Sequence, residues 1–394
     1  MSDGEGGRIS NRMSEDLDRL RGDSQLRTLE IPSGINLCSN DYLGLAYDPR
    51  LKRAVIEAVS RAESTGATGS RLLSGNSRVW EELESDFARF AGTDAALYFG
   101  SGYSANVGLL GSLLKHGDVV FSDALNHASL IDGIRLSSAF KVKYPHGDMD
   151  FLETALRKHA GGSGARVIVT ESVFSMEGDV APIEQLLRLA KDYGAELIVD
   201  EAHATGVWGL KGKGIVAELN CEREVLAVVH TCGKALASVG AFICGSSTLK
   251  NFLINHARTF IFSTAMPPYF AGQIRAALEL AVAADAERAH LRRIALSLRD
   301  AVAATGRECG SSSTQIVPIY LGSNETALQM ASVLRGSGFA VRAIRPPTVP
   351  AGTSRIRISL TARITMDEND RLARAISVAS KALHQVPSTA AVHG

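Results

Sequence analysis

A chain of 394 residues, 45% of them apolar, is long enough for two or three structural units around a large core. Its 42 basic side chains balance 42 acidic ones, so no net field draws it to nucleic acid or an anionic membrane, and small-molecule partners are expected. The five cysteines contain no CxxC pair, the start MSDGEGGRISNRMSED is acidic and polar, and no apolar run reaches a membrane-spanning length; together these point to a cytoplasmic protein with reduced thiols and no zinc.

In chain order, helices are predicted at LKRAVIEAVSRA (51–62) and VWEELESDFARFAG (79–92), followed by strands at AALYF (95–99), DVVFS (118–122) and RVIVTES (166–172). A helix APIEQLLRLAKDYG (181–194) leads to strands ELIVDE (196–201) and VLAVVHT (225–231), and then to one long helical stretch over 269–304. Near-continuous apolar strands separated by helix-length segments predict an α/β fold with a mostly parallel sheet covered on both faces. From about residue 281 the pattern changes to strand QIVPIYL, helix ALQMASVLRGSG, strand FAVRAI, strand RIRISL and a last helix. The expected organisation is an N-terminal segment (1–48), a large domain (49–280) and a smaller C-terminal α/β domain (281–394).

Ligands of open α/β sheets lie beyond the carboxyl ends of the parallel strands, so residues there are the first candidates. After AALYF comes GSGYSAN, a glycine-rich turn opening a helix, whose free N–H groups suit a phosphate. It also fits GxGxxA, which leaves a dinucleotide oxidoreductase open, with Asp118 or Asp123 on the ribose. Asp200 ends ELIVD, three residues before His203, and no arginine near it in sequence would pair with it. Lys234 follows 34 residues later among small neighbours in VVHTCGKALASVG, a poor place for a surface charge. An amine and a carboxylate at neighbouring strand ends, with a phosphate turn, are the requirements of pyridoxal phosphate; His127 in LNHAS could stack on its ring. HExxH, GxSxG and Walker A motifs are absent, so metal-assisted and serine hydrolysis lack support.

The segments SNDYLGL (39–45), GATGSRLLSGN (66–76), NHASLIDG (126–133), TESVFSMEGDVAPI (170–183), VDEAHATGVWG (199–209), TCGKALASVGAF (231–242) and FSTAMPP (262–268) resemble, in order, those of the α-oxoamine synthases. The resemblance implies the aspartate-aminotransferase-like fold of pyridoxal-phosphate enzymes and acyl transfer from a thioester to an amino acid. IRPPTVPAGTSRIRISLTA (344–362) is most similar to members that join L-alanine to a pimeloyl thioester, carried by coenzyme A or an acyl carrier protein, in biotin synthesis. Glycine-using and serine-using members are the alternative, and a non-catalytic paralogue is the remote one.

The resemblance also implies roles. Lys234 would carry the cofactor, Asp200 would pair with its ring nitrogen, and His127 would stack on the ring. His203 and Ser175 would lie near the phenolic oxygen. Gly102, Tyr103 and Thr231 would hold the phosphate, joined by Ser263 and Thr264 from the other subunit of a homodimer. Arg357 would clamp the amino-acid carboxylate with help from Asn40, Arg355 being the alternative clamp on the same strand face. Two departures stand out: the segment 20–36 is short, leaving Arg21 or Arg27 to reach the pimeloyl carboxylate, and a family HND triplet is here His146, Gly147, Asp148, to which no role is attached.

Overall fold

The computed structural model describes residues 7–384. The chain divides into two compact units: Asn40–Arg292 with Thr361–Arg363, and the described parts of Met1–Ser39, Arg293–Leu360 and Ile364–Gly394. A short strand β1 (Ile35–Asn36) precedes the larger unit, whose strands are β2 (Ala95–Phe99), β3 (Val119–Asp123), β4 (Phe140–Tyr144), β5 (Arg166–Glu171), β6 (Glu196–Asp200), β7 (Ala227–Thr231) and β8 (Ala241–Gly245). These seven form one sheet in the order β2-β8-β7-β6-β5-β3-β4. Strands β3 to β7 pair in parallel, and β8 alone runs against its neighbours β2 and β7.

The sequence pattern explains most of this. Val120, Val169, Ile198 and Val229 are completely buried and pack with Leu109, Leu110 and Leu130 from the helices Gly102–Leu113 and Ala128–Leu136. Two strands of this sheet escaped the sequence reading. β4 (FKVKY) is an edge strand with Lys141 and Lys143 exposed, and charged edges deter pairing with another chain. β8 (AFICG) is short and follows the lysine loop without a helix between, because an antiparallel neighbour needs no crossover.

The long helix expected over 269–304 is instead two, Tyr269–Val282 and Asp285–Ala303. Arg288, only 3% exposed, turns back and donates to the carbonyls of Ala281, Val282 (3.2 Å) and Gly206 (3.2 Å). The carbonyl of Val282, in the last turn, gains a donor from the guanidinium in place of a helical N–H.

In the smaller unit the strands are β9 (Ile316–Gly322), β10 (Phe339–Ala340), β11 (Ala343–Ile344) and β12 (Ser354–Ser359). The expected single strand FAVRAI divides because its halves serve two sheets: β10 pairs in parallel with β1, and β11 joins the antiparallel order β11-β12-β9. The β1 pairing ties the chain before Ser39 to this unit.

Candidate active site

A cavity of about 370 Å³ opens at the carboxyl ends of β2, β3, β5, β6 and β7. Lys234, Asp200, His127, His203, Gly102, Tyr103, Thr231 and Asn40 all line it. Residues from five separate sequence motifs thus meet at one place. Ser101 caps the helix Gly102–Leu113 with a reciprocal Ser101–Ser104 pair, which fixes the direction of the helix N-terminus. A Cβ on Gly102 would stand 2.7 Å from Thr231 Cγ2, so glycine keeps a cup open between the turn and β7. A cup of bare N–H groups at a helix N-terminus fits a phosphate.

Asp200 ends β6 only 4% exposed. Its Oδ1 accepts from Ala202 N (2.8 Å) and its Oδ2 from Asn106 Nδ2 (2.7 Å). Both donors are neutral, so neither pairs the carboxylate with a positive charge. Beside it in register stands Glu171, fully buried, whose pKa is raised well above the ordinary carboxyl range by burial and then by the charge of Asp200.

Lys234 is half-buried, with Nζ 2.9 Å from His203 Nε2. His203 Nδ1 lies 2.6 Å from Tyr42 Oη, and Tyr42 donates in turn to Asn40 Oδ1 (3.2 Å). One proton assignment satisfies the run: His203 donates from Nδ1 and accepts the lysine N–H at Nε2. His127 caps the helix Ala128–Leu136 through Nδ1, which receives Ser129 N (3.2 Å). Burial lowers the His127 pKa and Lys234 adds to this, outweighing Asp200 and Asp132. Tyr103 is exposed and its hydroxyl is bonded to Asp132.

Other expected residues lie elsewhere. Ser175 sits half-buried in the turn after β5, outside the lining of the cavity. Ser263 and Thr264 line a neighbouring cavity of about 220 Å³ that shares only Gly100 and Ser101 with the first. In the smaller unit, Arg357 on β12 is 8% exposed and donates to Ser359 Oγ (2.6 Å). Arg355 is committed to Tyr320, with Cζ 4.3 Å from the ring centroid and Nη1 3.1 Å from Oη, and to Thr353 O (3.0 Å). Arg27 is exposed and donates to Thr348 Oγ1 (2.8 Å), while Arg21 pairs with Asp18. The aspartates of the dinucleotide alternative are occupied: Asp118 accepts from Lys115 N and Ala165 N, and Asp123 from Leu125 N and Gly147 N.

His146 gains a structural explanation. Its Nδ1 lies 3.0 Å from Asp123 Oδ1 and its Nε2 2.8 Å from Asp179 Oδ2, so it ties the end of β3 to the turn carrying Ser175. Burial opposes its charge, but the two carboxylates prevail and push its pKa up to about 10.

The sequence reading missed Tyr42, Asn106, Ser129 and Glu171. Each lies inside a quoted motif, yet nothing at the level of residue type separated them from packing residues.

Residues 32–376 match the model of the family described as aminotransferase class I and II. The chain belongs to that family. Among its relatives is the 8-amino-7-oxononanoate synthase of Geobacter sulfurreducens, 44% identical over 388 residues, covering 95% of this chain and 98% of that one. The enzyme of the same description from Azoarcus sp. is 45% identical over 348 residues, 88% of each chain. Among solved structures, serine palmitoyltransferase of Sphingomonas wittichii aligns with a TM-score of 0.88 at 27% identity, covering 97% of this chain and 99% of that one. A structure described as SPT with PLP internal aldimine gives 0.89 at 28% identity, covering 97% and 100%. The 8-amino-7-oxononanoate synthase of Francisella tularensis gives 0.78 at 28%, covering 89% and 99%.

Proposed function

We propose that this chain is a pyridoxal-phosphate-dependent acyltransferase that condenses L-alanine with a pimeloyl thioester, releasing carbon dioxide and the free thiol and yielding 8-amino-7-oxononanoate for biotin synthesis. The observation that carries the reading is the meeting of Lys234, Asp200 and the Gly102 cup in one cavity. The 44–45% identity to curated synthases of that name favours alanine.

The cofactor fits the chain. Gly102, Tyr103 and Thr231 would hold its phosphate, Asp200 its protonated ring nitrogen, His127 its face, and His203 with Ser175 its phenolic oxygen. Bound there, pyridoxal phosphate supplies an electron sink that lets an amino-acid α-carbon give up a proton or a carboxylate.

Lys234 Nζ is the base that takes the Cα proton of alanine and later returns one. His203 Nε2, 2.9 Å away, accepts an N–H of that amine and so keeps its lone pair aimed into the cavity. The alanine Cα then bonds to the thioester carbonyl carbon, the thiol departs, and the alanine carboxylate leaves as carbon dioxide. Asp200, oriented by Ala202 N and the Asn106 amide, would stabilise positive charge on the ring side. For the alanine carboxylate we assign Arg357, assisted by Asn40, as the resemblance to the α-oxoamine synthases implies. Arg27, with Arg21 as the alternative, is our candidate for the distal pimeloyl carboxylate. The working unit is a homodimer in the cytoplasm, with Ser263 and Thr264 completing the partner's phosphate site. No helix among the described residues is long and apolar enough to cross a membrane.

The test is to supply alanine and pimeloyl-CoA to the purified protein and follow thiol release together with the mass of the product. Thiol release with alanine, and none with glycine plus acetyl-CoA, is expected. The opposite preference would overturn the substrate assignment.

A further inference from the structure

Asn106 and Ser129 are each 1% exposed and line the same cavity as Asp200 and His127. The Asn106 amide gives one N–H to Asp200 Oδ2 (2.7 Å) and the other to Ser129 Oγ (2.9 Å). This orientation of the amide is forced, because a carboxylate can only accept and would repel the amide oxygen. Ser129 Oγ in turn lies 2.8 Å from His127 Nδ1, and Ser129 N donates to the same nitrogen at 3.2 Å. Since a backbone N–H can only donate, Nδ1 must accept, and Ser129 Oγ is left to donate its hydrogen there. Every proton in the row then has one place, and His127 carries its own on Nε2.

We infer that Asn106 and Ser129 are positioning residues that join Asp200 to His127 in one hydrogen-bonded chain. The chain holds the Asp200 carboxylate toward the cavity and keeps His127 neutral, with Nε2–H the donor. A neutral imidazole is the right surface to lie flat on a protonated ring, since an imidazolium would repel it. That consequence rests on the cofactor reading above; the proton arrangement does not, and is measurable in cofactor-free protein. The groups facing His127 are Asp200 on β6, Lys234 after β7, Asp132 on its own helix, and Glu171 on β5, whose carboxyl accepts the His127 backbone N–H.

The experiment uses the full chain, stripped of cofactor and labelled with ¹⁵N at histidine, with His127 assigned by a His127→Gln control. In the unsubstituted protein near neutral pH, His127 Nδ1 is expected at the unprotonated shift and Nε2 at the protonated one. A protonated Nδ1 would overturn the inference. Loss of the Ser129 hydroxyl in Ser129→Ala removes a donor to the neutral ring, so the His127 pKa should rise by roughly half to one unit, the size of one hydrogen bond. Asn106→Leu does not touch His127, yet should raise its pKa in the same direction, through a weakened Ser129 donor and a less shielded Asp200. An unchanged His127 titration in Asn106→Leu, with the protein folded by circular dichroism, would show two separate contacts and no chain. Reconstituted with pyridoxal phosphate, both variants should move the pH at which the visible cofactor band titrates. If the ¹⁵N results hold but no such band forms even in the unsubstituted protein, the cofactor reading fails and the chain stands.

Discussion

At the residue scale, the site turns on which groups are charged. The two hydrogen bonds to the Asp200 carboxylate from Ala202 N and the Asn106 amide come from neutral donors, and burial followed by the charge of Asp200 raises the pKa of Glu171 beside it. Asp200→Asn would leave the position hydrogen-bonded but uncharged. We expect it to retain some cofactor and to lose turnover by roughly 10²- to 10⁴-fold, with proton exchange at alanine Cα falling in parallel by NMR in D₂O. Normal exchange in that variant would remove the electron-sink role. Lys234→Ala should abolish both turnover and the cofactor's visible band. These two residues were legible in the sequence because strand-end position and small neighbours marked them. Asn106 and Glu171 were not, because their roles depend on which side chain lies opposite in register or across a helix N-terminus, and residue spacing does not carry that.

At the element scale, the strands that the sequence revealed are those buried on both faces, where apolar runs are continuous. β4 was hidden by the lysines that protect an edge, and the break at Val282 by the absence of proline or glycine in LAVAADAER. The break is made by a side chain instead. Arg288→Ala would strip the carbonyls of Val282 and Gly206 of their donor in a buried place, and should destabilise the protein by about 2 kcal/mol in urea unfolding. A change within experimental error would mean that the geometry of the turn, and not the arginine, sets the break.

His146 operates at the same scale, joining the end of β3 to the turn after β5 through Asp123 and Asp179. Its pKa is raised from 6.5 in the unfolded chain to about 10 in the folded one. The folded state therefore binds this proton more tightly, so its contribution to stability is complete below pH 6.5 and is lost as pH rises through about 10. The melting temperature should fall across that window, and His146→Gln should flatten the fall while lowering stability at pH 6. An equal slope in the variant would assign the alkaline loss to other groups.

At the scale of the whole molecule, one chain does not bring all the expected phosphate ligands together. Ser263 and Thr264 line a cavity separate from that of Lys234, although both cavities reach the turn at Gly100 and Ser101. A single chain therefore holds the amine and the cup but not these two hydroxyls, which fits residues that serve a partner. Subunit mixing tests this directly. Lys234→Ala protein lacks the amine but has both hydroxyls, and the double variant Ser263→Ala with Thr264→Ala has the reverse. If the hydroxyls act across the dimer, a hybrid of the two contains one site with every native group. Unfolding and refolding an equal mixture makes half the dimers hybrids, each with one of two sites intact, so about a quarter of the native activity should return. If Ser263 and Thr264 serve their own chain, the hybrid has no complete site and the mixture stays at the level of the separate variants.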